Sequence, residues 1–247
     1  EEYWHAKFRL LNRCRKESYI GRDIPKWAKF FCSTLPSSCH IPGDISFIHS
    51  DDDAYRHLQM QHQRENCALV VELLRHMAFD RGEIAKAMRY FTPPPYRLSI
   101  CATIDGVTIW EDSKATTAAA SIAALRHVMA IASPCLWIVC GRQKGGNLEP
   151  FRPAIALASE IICFGDVSAA FRSEFPNVGV HYLSHKELLL GYMQNFINRH
   201  RGQRAAIVFS PGFTSFDFFE NYEMRGNWFR KEVAHLIRAK HLEAAVK

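Results

Sequence analysis

A chain of 247 residues, 48% apolar and 23% charged, can bury a sizeable core as one large domain or two small ones and has the composition of an ordinary globular protein. No apolar run approaches the ~20 residues that span a bilayer, and no cationic, apolar leader opens the sequence, so a cytoplasmic chain without membrane insertion is expected. The net charge of +6 suits anionic small molecules rather than nucleic acid, because the two local cationic clusters, residues 13–16 and 199–204, read as solvated helix ends.

The eight cysteines form no CxxC pair and no Cys/His spacing of the usual zinc type. Several lie in apolar runs, as Cys135 and Cys140 do, and read as small buried hydrophobes of a reduced chain. The sequence opens Glu1-Glu2-Tyr3 without Met, as a fragment or a processed product would.

In chain order, residues 3–16 carry helical spacing through Tyr3, Ala6, Lys7, Leu10, Leu11 and Cys14. Residues 17–60 read as irregular, with Pro and Ser clusters and a short strand at 45–48. An apolar helical face follows at 66–78 (Ala68, Leu69, Val70, Leu73, Leu74, Met77), then a second helix at 82–90. Pro93, Pro94 and Pro95 stiffen the chain toward polyproline II and mark a hinge, which divides it into domains 1–94 and 95–247.

Beyond the hinge the pattern changes. Residues 97–103 and 107–110 flank Asp105-Gly106, a hairpin signal. Four short apolar strands (135–140, 161–164, 178–182, 205–209) then alternate with helices at 116–131, 151–159, 186–199 and 226–241. The fold class expected is α/β: a Rossmann-like domain with a mostly parallel sheet covered on both faces, preceded by an α-rich segment. Ligands of such sheets bind at the carboxyl ends of the strands.

Three loops follow strands at that rim. Asp112-Ser113-Lys114-Ala115-Thr116-Thr117 packs an acid, a cation and three hydroxyls into one strand-to-helix turn, where backbone N–H groups meet anions. Helix capping by Thr116 or Thr117 explains the same residues. Gly141-Arg142-Gln143-Lys144-Gly145-Gly146-Asn147 lets the backbone approach a ligand and sets Lys144 at the mouth of the sheet; a plain connection explains it equally. In residues 210–217, Ser215 and the N–H groups around Phe216 are suited to an oxyanion, or else Ser215 or Asp217 caps the following helix. Together the loops give one rim bearing Lys114, Lys144, Thr116 and Ser215, which suits a small dicarboxylate. No Ser/His/Asp or Cys/His grouping accompanies them, so covalent nucleophilic catalysis by a side chain is not expected.

The loops, in this order and spacing, resemble the Mur ligase family, and the DSKATT of residues 112–117 resembles its D-glutamate-adding branch. The likeness extends upstream. Residues 1–11 resemble the family's Tyr-x-x-x-Lys helix, and 61–69 its His-Asn-x-x-Asn-Ala helix start, with Asn66 at the second Asn. Residues 94–99 fall where the family has His-Arg-x-Glu, and 140–146 and 210–226 match the last two signatures.

The resemblance implies that 95–247 is the Rossmann-like C-terminal domain and 1–94 the tail of the central ATP-binding domain. It implies ATP-dependent addition of D-glutamate to UDP-N-acetylmuramoyl-L-alanine in peptidoglycan precursor synthesis, by a monomer. The substrate carboxylate takes the γ-phosphoryl of ATP, and the amine then displaces phosphate from the acyl phosphate, with Mg2+ and fixed cations stabilising the phosphoryl charge. By the same resemblance Asn66, Arg97 and Asp112 contact the nucleotide. Thr116, Lys144, Ser215, Phe216 (through its backbone) and Tyr222 contact D-glutamate. Lys114 and Lys7 are catalytic, and Lys7, if carbamylated, offers an anionic oxygen to Mg2+.

Departures from the family pattern are Tyr96 for its His, Ser99 for its Glu and Gln63 for its first Asn. No GxxxxGK[ST] phosphate loop occurs; that loop and the UDP-binding domain are expected upstream of Glu1, so this chain alone is expected to be inactive. Three other readings stay open. One is a non-catalytic amino-acid or nucleotide-binding module derived from such a ligase. Another is a sister ligase adding a different amino acid. The third and least favoured is a generic dinucleotide-binding domain, since no GxGxxG follows a strand.

Overall fold

A computed structural model describes residues 18–20, 39–40, 45–46 and 61–245. It divides into two compact units, residues 1–93 and 94–247.

In the first unit two short parallel strands, β1 (Ser18–Tyr19) and β2 (Cys39–His40), pair with each other. Helix α1 (Gln61–His76) and helix α2 (Arg81–Arg89) follow. Helix α2 begins at a capping box: the Asp80 carboxylate accepts from the N–H groups of Gly82 and Glu83, and the Glu83 side chain accepts from Asp80 N–H. Cys67, Val71 and Ile84 are buried together, with Ile45, Leu74 and Met88 packed against them. Ile45 and Ser46, expected in a strand, lie outside any strand; the remainder of that expected strand, and the helix expected at 3–16 with Lys7, lie outside the described residues.

The second unit holds a six-stranded sheet in the order β3-β4-β8-β5-β6-β7. Its strands are β3 (Ser99–Ile104), β4 (Val107–Glu111), β5 (Cys135–Cys140), β6 (Glu160–Phe164), β7 (Val180–Tyr182) and β8 (Ala205–Gly212). Only the β3–β4 hairpin is antiparallel; every other pairing is parallel. The hairpin turns at Asp105 and Gly106, both with positive φ, as its Asp-Gly signal predicts. The mixed α/β class read from the sequence is the one observed.

Helices α3 (Ala118–Met129), α4 (Arg152–Leu157), α5 (Ser168–Glu174), α6 (Leu189–Arg199) and α7 (Tyr222–Ala245) link or follow the strands. Helix α5, which interrupts the expected β6–β7 connection, was not legible in so short a segment. Strand β7 is shorter than expected, and α7 starts four residues earlier than expected, at Tyr222.

The strands are apolar on both faces because helices cover both. On one face Ile109, Ile138, Phe164, Ile207 and Phe209 pack on Met193, Phe196, Phe229 and Val233 of α6 and α7. On the other, the buried Trp137 stacks on Phe151 at 6.3 Å and meets Phe171 edge-on, while its indole N–H donates to Ser210 O at 2.8 Å. Cys135, Cys140 and Cys163 are buried within strands, and burial pushes the Cys135 and Cys163 thiols up to about 12, which keeps them protonated and inert. Among the described residues no helix is long and apolar enough to cross a membrane.

Candidate functional site

Strand β8 lies between β4 and β5, so the chain leaving β4 must cross over it to form β5. The loops after these three adjacent parallel strands are therefore neighbours at one sheet edge, where the strand order reverses. They are residues 112–117, 141–147 and 213–221; the first two are loops singled out from the sequence, and the third overlaps the expected loop 210–217, whose first three residues instead extend β8 to Gly212.

Arg225 of α7 ties two of them together. It is fully buried. Its Nε donates to Ser113 Oγ at 3.1 Å, Nη2 to Ser113 O at 2.9 Å and Nη1 to Phe213 O at 3.0 Å. Ser113 Oγ in turn donates to Tyr222 O at 2.8 Å. One planar guanidinium thus sets the path of the first loop, the third loop and the start of α7. The second loop is joined to the third by a backbone bridge, Arg142 N to Thr214 O at 2.8 Å and Thr214 N to Arg142 O at 3.3 Å. Thr214 Oγ1 adds a bond to Arg142 O at 2.7 Å. This approach requires glycine at 141: its φ is +122°, and a Cβ there would lie 2.2 Å from Thr214 O.

Asp112 is buried at the base of the first loop. Its Oδ1 accepts from Leu98 N–H at 3.1 Å and its Oδ2 from Ser210 Oγ at 2.9 Å. Burial raises its pKa to about 7, against the lowering effect of those bonds and of Arg97 nearby. The preceding Glu111 is wholly buried as well. It accepts from Ser113 N–H at 2.7 Å and from both Nε and Nη2 of Arg230, at 3.2 and 2.9 Å.

Thr117, not Thr116, caps α3 by accepting from Ala120 N–H, which leaves the half-buried Thr116 hydroxyl out of the cap. Lys114 sits with Nζ 3.7 Å from the centre of the Tyr222 ring, a cation–π contact that joins the first loop to α7. Ser215 is buried and Phe216 exposed. Neither Ser215 nor Asp217 caps α7; Asn221 does, accepting from Met224 N–H at 2.8 Å. Lys144 is exposed at the tip of the second loop. The fold therefore brings together the loops of Lys114, Thr116, Lys144, Ser215, Phe216 and Tyr222, with Asp112 beneath them.

Arg97 is exposed beside Asp112. Asn66 belongs to the first unit and is exposed on the interior of α1. Lys7 lies outside the described residues, and with it the expected metal ligand.

The two departures from the expected hinge motif have local partners. Tyr96 donates to Asn227 Oδ1 at 2.9 Å and packs edge-on to Tyr222 at 6.1 Å. Ser99 Oγ accepts from Arg230 Nη2 at 3.3 Å. The sequence reading did not single out Glu111, Ser210, Arg225 or Arg230. Their signal was a charged or hydroxyl residue at an apolar strand end and an Arg-Gly pair on a helix, which is too common to stand out alone.

No protein-family model matches the chain. It is similar to the UDP-N-acetylmuramoylalanine–D-glutamate ligase of Chlorobium phaeobacteroides, 31% identical over 94% of this chain and 56% of that protein. The enzyme of the same name from Rippkaea orientalis is 25% identical over 94% of this chain and 55% of that protein. The chain spans about half the length of these curated relatives. Among solved structures, the UDP-N-acetylmuramate–alanine ligase MurC from Thermotoga maritima superposes with a TM-score of 0.51 at 14% identity, covering 71% of this chain and 38% of that one.

Proposed function

We propose that this chain, 31% identical over 94% of its length to such an enzyme, is the amino-acid-accepting part of an ATP-dependent ligase of the Mur family that joins D-glutamate to UDP-N-acetylmuramoyl-L-alanine in peptidoglycan precursor synthesis. The observation that carries this reading is the joining of three loops at the reversal point of the sheet, with Lys114, Lys144 and the hydroxyls of Thr116 and Ser215 on them.

D-Glutamate has two carboxylates and an amine. Taken out of water, its carboxylates need cations and aimed donors. Lys144, the Thr116 and Ser215 hydroxyls and the N–H of Phe216 supply them in this reading. Tyr222, fixed by Lys114 and Tyr96, walls the pocket so that the amine points outward to the electrophile. Asp112 accepts from a ribose hydroxyl and Arg97 contacts the nucleotide. The carboxylate of Asp112 retains acceptor capacity beyond its two internal bonds, since each oxygen carries two lone pairs. Asn66 contacts adenine. ATP with Mg2+ supplies the phosphoryl group that makes the acceptor carboxylate electrophilic. Lys7, if carbamylated, would hold that metal.

Two outcomes test the reading. In the complete enzyme, Lys144→Ala should raise KM for D-glutamate by at least about tenfold, the size expected for a lost charge-assisted bond of ~1.5–3 kcal/mol, and leave KM for ATP near its original value. An unchanged KM for D-glutamate would remove Lys144 from the pocket. The chain studied by itself, with no phosphate loop in its sequence, should release no ADP when given both substrates; substrate-dependent release would show that phosphate binding resides here.

A further inference from the structure

We propose that the first unit carries a site for a borderline divalent cation such as zinc, formed by His40 of β2 with Glu72 and His76 of α1. Each residue offers one donor atom, and the three donor atoms lie within 4.8 Å of one another. Tetrahedral zinc, with bonds of ~2.0–2.2 Å, needs its ligands roughly 3.4 Å apart. Side-chain adjustment of about 1 Å closes the set, well within the rotamer freedom of half-exposed side chains.

The geometry follows from simple placement. Glu72 and His76 are four residues apart, so they stand one above the other on the same face of α1. The imidazoles of His40 and His76 lie with ring centres 4.3 Å apart and planes inclined by 59°. His76 Nδ1 is 3.0 Å from the main-chain oxygen of Glu72 and 3.6 Å from its carboxylate. A carbonyl oxygen only accepts, so Nδ1 carries the proton and Nε2 the lone pair. An imidazole that donates to a carbonyl through one nitrogen and ligates through the other is the arrangement that orients metal-bound histidines.

The chemistry selects the ion. Two imidazoles and one carboxylate suit borderline cations such as Zn2+ over Mg2+ or Ca2+, which prefer all-oxygen sets. The Arg75 guanidinium, 3.7 Å from the other oxygen of Glu72, leaves one carboxylate oxygen directed to the His76 side. Three protein ligands leave a fourth position for water. The ion would clip strand β2 to helix α1 through ligands more than thirty residues apart in sequence, His40 and Glu72. His76 is ten residues from Asn66, or ~15 Å along the helix. The site is therefore independent of any nucleotide contact there.

The test uses the full chain with its thiols reduced and Co2+ as a spectroscopic probe. One equivalent of Co2+ should give the ligand-field bands of a four- or five-coordinate N/O site without a thiolate charge-transfer band, and Zn2+ should displace it. Loss of a direct ligand should cost more than loss of a supporting hydrogen bond, at ~10–100-fold. So His76→Ala and Glu72→Gln should each weaken Zn2+ binding by at least about tenfold, with an unchanged far-ultraviolet circular dichroism spectrum. Zn2+ should raise the melting temperature of the parent chain but not of Glu72→Gln, a variant conservative enough to fold. Binding with equal affinity to the parent and both variants, a thiolate band, or no binding at all would each overturn the proposal.

Discussion

Replacing Arg225 by alanine is expected to cost the second unit about 3–5 kcal/mol, the range measured when one member of a buried charged network is removed. The guanidinium donates to two main-chain oxygens and a hydroxyl, and each buried carbonyl left without a donor costs ~1–3 kcal/mol. Its burial pulls its own pKa down, while Cys140, Asp217 and Glu111 favour its charge; it stays protonated throughout the accessible pH range. For a unit of this size the melting temperature should fall by roughly 10 °C. Arg225→Lys should recover little, because an ammonium is a point charge and cannot span Ser113 and Phe213 as a planar fork does. A loss below about 1 kcal/mol in urea unfolding would show that the loops hold their positions without Arg225. In the complete enzyme the same change should raise KM for D-glutamate more than KM for ATP, since it frees the two loops proposed to bind the amino acid.

Most of the second unit was legible in the sequence because its strands are continuous apolar runs bounded by turn residues, and its helices carry clear apolar spacing. The Asp105-Gly106 turn and the rim of three loops followed from local pattern alone. Local pattern does not carry strand order. That β8 inserts between β4 and β5, and so joins the loops of Lys114, Lys144 and Ser215, depends on pairing between residues about a hundred apart with β4 and about seventy apart with β5. The buried polar framework was illegible for a related reason. Glu111 reads as the solvated end of a strand until Arg230, 119 residues later, is brought against it. Which residue caps a helix was also undecided by composition: Thr116 and Thr117 are equivalent in sequence, and only the extended backbone of Thr117 turns its hydroxyl to Ala120 N–H. In the first unit, the pairing of β2 with β1 and the approach of His40 to α1 have no local signal at all.

Asp112→Asn is expected to stabilise the second unit at neutral and alkaline pH while weakening nucleotide binding. The wild-type carboxyl is held at about 7 in the fold by burial, against an ordinary value of 3.8. The folded state therefore keeps a proton that the unfolded chain releases between these values. Where the native state binds more protons, stability falls as pH rises. The loss begins near pH 4, grows by ~1.4 kcal/mol per unit and levels above pH 7, for a total of order 4 kcal/mol. The hydrogen bonds allow both charge states. Ionised, Asp112 accepts from Leu98 N–H and Ser210 Oγ. Protonated, it donates to Ser210 Oγ, whose proton then turns to Ser121 Oγ at 3.3 Å, while Ser121 Oγ donates to Ser210 O at 2.9 Å. Asparagine reproduces the second pattern permanently, with its amide donating to Ser210 and its oxygen accepting from Leu98. The two proteins should unfold alike below pH 4, and the variant should become the more stable as pH rises to 7, read from urea midpoints across that range. Parallel curves at every pH would show that Asp112 does not titrate in this window. In the proposed enzyme the charged carboxylate is the ribose acceptor, so the stability given up at neutral pH is retained as affinity: ADP should bind the complete Asp112→Asn enzyme more weakly, although its fold is the more stable of the two.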